Sequence, residues 1–439
     1  MKYFGTDGIR EKAEKFTPDF LNSIIYGLSD YATKKIPDRP AKILVGGDTR
    51  ESSEWIIQDI CNALESVGLE YASVGVLPTP AINYCFYEMG FDFAIDITAS
   101  HNPYIDNGIK IFERGSNSGV KLSEPGYQAI ESAIENHKTI DLVSTTLRED
   151  LHDEAITIYK EHLLNYLGDV DFTNLHVGID CANGATSVIN KTIFEKLGTK
   201  VLLINADANY NQKINNDCGS THLEQITNLA KTNHLDFGIA YDGDGDRCLL
   251  IDNNGSTVDG DEIIAILANF LNLDSIAITV MANQGLLNWA EKNHIKTEIT
   301  AVGDSNVAEA MRIHNIKLGG EQSGHIILPN EPTGDGILTS LMIAKVVSNS
   351  GSSLSDLVKI ITKFPQVIVN VPATPEQKEN LKTSEKTKKL LLEYNEKLKS
   401  VDGRLLVRPS GTEPLIRITM WGNDKTKITN LANELGGLL

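Results

Sequence analysis

Phe91-Asp92-Phe93-Ala94-Ile95-Asp96-Ile97-Thr98-Ala99-Ser100-His101-Asn102-Pro103 runs from an apolar strand into a polar loop that presents one serine. A second stretch, Leu235-Asp236-Phe237-Gly238-Ile239-Ala240-Tyr241, echoes it and runs into Asp242-Gly243-Asp244-Gly245-Asp246-Arg247. Short apolar runs that stop at polar loops read as buried strands of an α/β sheet. Others recur along the chain: Ile43-Leu44-Val45 before Gly46, Val177-Gly178-Ile179-Asp180 before Cys181, and residues 276–280 before Met281. Helical patterns fill the intervals at 54–67, 187–197 and 260–271. The fold class expected is therefore α/β, with three units of related topology that carry ligand loops at strand ends.

The expected domains are 1–153 with the serine loop, 154–253 with the acidic loop, 254–368 and 369–439. Residues 138–153 are polar and charged, as a passage between units would be, and Asp252-Asn253-Asn254-Gly255 closes a hairpin near the start of the third. Residues 374–389 are rich in Lys and Glu and predict one solvated helix in a fourth, α+β unit. That unit continues with strands at 404–407 and 415–421, a loop at 408–413 between them, and a final helix.

A chain of 439 residues exceeds one compact core. A net charge of −19 argues against nucleic acid as partner. It also requires that the few cations be concentrated where an anionic substrate would bind. No run of 18 apolar residues predicts a membrane span, and the N-terminus lacks the apolar core of a signal peptide. Five scattered cysteines without a CxxC pair suit a reducing cytoplasm.

Three aspartates at i, i+2 and i+4 share one face of an extended segment, and Gly243 and Gly245 let its backbone curl, so Asp242, Asp244 and Asp246 are candidate ligands of one hard cation. An EF-hand is excluded: its sixth position would be Arg247 and its twelfth Asn253, and strands flank the loop. A merely solvated acidic turn would leave three like charges repelling each other. Ser100 is a candidate phosphoryl carrier, with Pro103 stiffening the loop exit and Lys110 following closely. Neither a G-x-S-x-G elbow, a Walker A loop, a Cys-x5-Arg loop nor an HExxH pair is present. Arg408-Pro409-Ser410-Gly411-Thr412-Glu413, followed by Arg417, offers guanidiniums, hydroxyls and a free backbone to a phosphate. Gly319-Gly320-Glu321-Gln322-Ser323-Gly324-His325 offers Glu321 and Ser323 to sugar hydroxyls or an amine, and Phe4-Gly5-Thr6-Asp7-Gly8-Ile9-Arg10 places Arg10 after a tight turn.

Together, Thr98 to Pro103, Asp242 to Arg247, the Glu321 loop and the Arg408 loop resemble, in this order, the four signatures of the α-D-phosphohexomutase superfamily. Asp180-Cys181-Ala182-Asn183-Gly184-Ala185-Thr186, Asn216-Asp217-Cys218-Gly219-Ser220-Thr221-His222 and Gln322 are similar to its glucosamine-phosphate branch. The resemblance implies a phosphoserine at position 100 that shares one Mg²⁺ with the three aspartates. It implies a fourth domain of TATA-binding-like fold and a central cleft. The reaction implied interconverts glucosamine 6-phosphate and glucosamine 1-phosphate through a sugar bisphosphate, which also serves as activator, and supplies UDP-N-acetylglucosamine for cell-wall synthesis. Ser100, Lys110, Arg10 and His325 are then the catalytic candidates. His101, Arg247, Glu321, Ser323, Arg408, Ser410, Gly411, Thr412 and Arg417 are the substrate-binding candidates.

The rival readings are the same chemistry on mannose or glucose phosphate, and a non-catalytic regulatory paralogue. A homodimer is left open, and a priming kinase or autophosphorylation is expected to load Ser100. The chain departs from the family pattern at Gly46-Gly47-Asp48-Thr49-Arg50, which has glycine where a basic residue is usual. It departs again at Glu11, where glycine is usual, and at Ser305, where this branch often carries arginine.

Overall fold

The computed structural model describes residues 2–5, 7–143, 149–410 and 414–439, apart from the side chain of Lys382. Its first sheet holds β1 (Ile9–Lys12), β2 (Lys42–Gly47), β3 (Glu70–Val76), β4 (Phe93–Ile97), β5 (Asp106–Arg114) and β6 (Gly119–Lys121). The second holds β7 (His176–Asp180), β8 (Lys200–Ile204), β9 (Phe237–Tyr241), β10 (Cys248–Asp252) and β11 (Thr257–Val258). The third holds β12 (Ser275–Thr279), β13 (Lys296–Thr300), β14 (Gly319–Gly320) and β15 (Ile326–Ile327). The fourth holds β16 (Gln366–Pro372), β17 (Arg404–Pro409) and β18 (Leu415–Trp421).

The first three sheets share one path. The orders β5-β4-β2-β3, β10-β9-β7-β8 and β15-β14-β12-β13 superimpose in topology: three parallel strands, then one antiparallel. The echo between residues 91–95 and 235–239 falls on equivalent strands, and its aspartates do the same work. Asp92 accepts from the Lys42 N–H at 2.8 Å, and Asp236 accepts from the His176 N–H at 2.7 Å. Each ties the start of a central strand to its neighbour, and such a bond contributes about 1 kcal/mol.

The cores are not divided as the sheets are. Leu44, Val74 and Phe112 on one face of the first sheet join Tyr159 and Leu163 of the helix His152–Leu167, then Val177, Ile278 and Leu341, in one continuous core through three units. The fourth unit has its own, built on Tyr394, Leu398, Ile418, Met420 and Leu435. It meets the third where the Arg404 side chain donates to the Ala282 carbonyl. Among the described residues no helix is long and apolar enough to cross a membrane.

Three sequence expectations change. The hairpin through Asn253 and Asn254 lies within the second sheet, because β11 pairs with β10. The single solvated helix is two, Pro375–Thr383 and Glu385–Leu398, because the Ser384 side chain accepts from the Thr387 N–H and starts a new helix. Arg408 and Pro409 belong to β17, so the loop after it begins at Ser410.

Candidate active site

Ser100 stands just past β4 in the left-handed region, with φ of 52°. Its N–H donates to Thr98 Oγ1 at 2.8 Å, and the Thr98 hydroxyl donates to Asp48 Oδ2 at 2.7 Å. The Ser100 hydroxyl leaves the first unit and donates to Asp242 Oδ2 of the second at 2.7 Å.

The acidic loop curls at Gly245, one of the two glycines expected to let it, and it does so as a turn. Gly245 takes φ of 74° and its N–H donates to the Asp242 carbonyl, which folds the three side chains inward. One oxygen of each of Asp242, Asp244 and Asp246 then lies within 4.8 Å of the others, and all three residues are buried. Asp244 Oδ1 and Asp246 Oδ1 are buried without a hydrogen bond. Three carboxylates with two orphaned oxygens, beside a serine oxygen, fit a divalent cation. Burial, and then the charges of Asp244 and Asp246, push Asp242 well above the ordinary carboxylate range, which a cation would reverse.

Lys110 on β5 reaches the same loop. Its Nζ donates to Asp244 Oδ2 at 2.9 Å and Asp246 Oδ2 at 3.1 Å, and pairs with Asp7 Oδ2 at 3.1 Å. Burial opposes its charge, yet Asp244, Asp246 and Asp7 raise it well above the usual lysine value. Burial also opposes ionisation of Asp246, but Lys110, ahead of His325 and Arg247, lowers it to about 2. Arg10 follows a tight turn as expected, with the Gly5 N–H donating to the Gly8 carbonyl, and its guanidinium donates to Asp7 at 2.8 Å.

Arg247 pairs in backbone register with His325, which brings the third unit against the second. Its Nη1 lies 3.0 Å from His101 Nδ1, and burial, then Arg247 and Arg10, depress His101 to about 4. Both ring nitrogens of His325 are buried without a hydrogen bond, and Asp304 Oδ2 lies 3.9 Å from Nε2. Glu321 accepts from the Gly303 N–H at 3.1 Å, while Ser323 is exposed.

The fourth unit contributes a different arrangement. Arg408 and Arg417 sit directly opposite each other on β17 and β18, with Asn370 of β16 beside Arg417. Burial, then Arg417, lowers Arg408. The Ser410 carbonyl accepts from Lys378 Nζ at 2.8 Å. Gly411 and Thr412 lie outside the described residues.

Several contributors carried no sequence signal. Asp7 joins Lys110, Arg10 and Lys121, and Lys121 Nζ crosses to Asp304 Oδ2 at 2.6 Å. Thr79 Oγ1 lies 2.6 Å from Asp96 and 2.9 Å from Asp244. These groups meet only through tertiary pairing of distant segments. Asp7, inside the Gly5–Arg10 turn, and Asp96, in the strand before Ser100, lay within quoted motifs but carried no mark of these partners.

A serine hydroxyl set in a buried acidic cation cradle, with two arginines held on a separate sheet, defines a multidomain α/β enzyme of phosphoryl transfer. Comparison with known proteins agrees along the whole length. The phosphoglucomutase/phosphomannomutase alpha/beta/alpha domains I, II and III match residues 1–141, 158–255 and 259–364, and the C-terminal domain of that family matches 368–436. The chain belongs to the phosphoglucomutase/phosphomannomutase family. It is similar to the phosphoglucosamine mutases of Caldicellulosiruptor bescii (41% identical, covering 100% of this chain and 98% of the relative) and Bacillus subtilis (38% identical, 99% and 97%). Among solved structures it resembles a family member from Burkholderia thailandensis, with a TM-score of 0.77 at 19% identity over 98% of this chain and 95% of that one. It also resembles the Aspergillus fumigatus N-acetylphosphoglucosamine mutase, solved with GlcNAc-6P and magnesium, with a TM-score of 0.64 at 16% identity over 93% and 84%.

Proposed function

We propose that this chain interconverts glucosamine 6-phosphate and glucosamine 1-phosphate, with Ser100 as the phosphoryl carrier. The observation that carries the reading is the Ser100 hydroxyl held 2.7 Å from Asp242 at the mouth of a three-aspartate cradle. The similarity of the whole chain to phosphoglucosamine mutases supports the sugar.

Phosphorylated Ser100 gives its phosphoryl group to the sugar hydroxyl. The bond from Ser100 Oγ to phosphorus breaks, one to the sugar oxygen forms, and the hydroxyl proton ends on Ser100 Oγ. The hydrogen bond to Asp242 is that of the dephosphorylated serine. A sugar bisphosphate results, and the reverse transfer from its other end restores phosphoserine. Asp242, Asp244 and Asp246 would hold Mg²⁺, which would supply Lewis-acid stabilisation of the transferring group. Lys110, fixed among three carboxylates, stays charged and aligns the cradle. His325 has unfilled donor and acceptor capacity and carries the proton. Arg408 and Arg417 grip the phosphate that is not reacting, with Glu321 and Ser323 facing the sugar. The five cysteines are free and buried, in keeping with a cytoplasmic setting.

Side-by-side turnover of glucosamine, glucose and mannose 6-phosphates tests the reading. Glucosamine 6-phosphate is expected to have the highest kcat/KM, by at least about tenfold. A preference for glucose or mannose phosphate would reassign the substrate and leave the chemistry standing.

A further inference from the structure

We propose that Asn215 is a positioning residue for phosphoryl transfer at Ser100, locking the serine loop to the second unit. The proposal rests on the reading of Ser100 as phosphoryl carrier. A non-glycine residue holds a φ of 52° only where its surroundings impose it. Two nitrogens impose it here. Arg50 Nη2 donates to the Ser100 carbonyl at 2.8 Å and the Asn102 carbonyl at 2.9 Å. Asn215 Nδ2 donates to the same two carbonyls, at 2.8 and 3.0 Å. Each nitrogen offers two hydrogens and each oxygen two lone pairs, so the four bonds saturate all four groups.

The two donors come from different units. Arg50 is fully buried in the first, and its remaining donors go to Asp48 and to the carbonyls of Pro103 and Asp106. It shapes the loop from within. Asn215 belongs to the second unit, where its own N–H donates to the Ala182 carbonyl at 2.9 Å just past β7. The acidic loop closes the triangle. A Cβ on Gly243 would lie 2.8 Å from the Ser100 carbonyl oxygen and 2.9 Å from Asn215 Nδ2, so no side chain fits between them.

Asn215 therefore fixes where the serine loop stands relative to the three aspartates. The direct bond from Ser100 Oγ to Asp242 cannot do this through a cycle, because Oγ loses its hydrogen whenever it carries phosphate. Asn215 holds main-chain oxygens, which the chemistry leaves untouched. It lies beside Asn216-Asp217-Cys218-Gly219-Ser220-Thr221-His222, a segment to which the proposed chemistry assigns no task.

The test uses the full chain with Mg²⁺ and glucosamine 6-phosphate, and phosphate on Ser100 measured by intact mass. Asn215→Ala is expected to lower kcat on the order of 10- to 100-fold while KM stays within about twofold. Asn215→Asp matches the side chain in size, tolerates positive φ and turns a donor into a carboxylate facing two carbonyl oxygens. It is expected to fold and to lose more kcat than Asn215→Ala. Thr49→Val is the control. It removes the bond from the Thr49 hydroxyl to the Asn183 carbonyl, at the same junction but off the serine loop, and is expected to keep kcat within about twofold. Full kcat in either Asn215 variant overturns the proposal, as does an equal loss in Thr49→Val, which would reduce Asn215 to junction stability. Turnover retained by Ser100→Ala would instead overturn the reading of Ser100 and the proposal with it.

Discussion

The Ser100 junction and the Arg408–Arg417 strand pair are both read as phosphate sites, and they are built in opposite ways. At the junction the serine loop is tied to its carbonyls from two units, Lys110 is shared among three carboxylates, and the surrounding core runs unbroken through three units. On the fourth unit two guanidiniums stand opposite each other on neighbouring strands, half-buried, over a separate core. Like charges directly opposite cost stability in an antiparallel pair, which suits a site completed by an anion. The difference teaches where geometry must be fixed. On the proposed reading a bond is made and broken at the junction, and there a displacement of about 1 Å is expensive. A bystander phosphate needs only charge, and a unit with its own core can shift to deliver it.

The largest test of this contrast is Ser100→Ala. Turnover should fall by at least about 10³-fold, since no other group replaces the carrier. The melting temperature should move little, because the hydroxyl's contacts to protein are those to Asp242 and His101 Nδ1, each worth about 1 kcal/mol. Steady-state kinetics beside a thermal melt check both halves. Substantial turnover in the folded variant would remove the junction's claim to be the reacting centre.

Cation removal comes next. Chelation should stop turnover and Mg²⁺ should restore it, because Asp244 Oδ1 and Asp246 Oδ1 otherwise remain buried without a hydrogen bond. Asp244→Asn should raise the Mg²⁺ concentration for half-maximal rate by at least about tenfold. A Mg²⁺ titration of kcat measures this, and full turnover of the chelated enzyme would remove the cation from the cradle.

The parts of this site that were legible in sequence are those where one segment carries the chemistry. Ser100, the three aspartates and Arg10 after its turn could be named because a strand end, a spacing or a glycine turn marks each locally. The common topology of the first two sheets was legible through the echo of Asp92 and Asp236, which keep the same strand-tying bond. What was not legible is pairwise and long-range. Lys121 reaches Asp304 across 183 positions, and Asn215 reaches Ser100 across 115. Nothing in the neighbours of a lysine or an asparagine records such a partner. The curl of the acidic loop was legible in its two glycines, but alternation alone leaves open which of them bends the chain. The φ of Gly245 decides between them.

The smallest expected effect on kcat is on the fourth unit, and it sharpens the contrast most. On the proposed reading, Arg417 holds whichever phosphate is not reacting, so both substrates present the same group to it. Arg417→Ala should raise KM for glucosamine 6-phosphate and for glucosamine 1-phosphate together. Loss of one charge-assisted contact costs about 1.5–3 kcal/mol, or roughly 10- to 150-fold. Phosphorylation of Ser100 should persist by intact mass, because the serine loop and cradle lie in the first two units. A variant whose KM rises for only one of the two substrates would show that the strand pair reads one sugar orientation, and would end its role as a shared clamp.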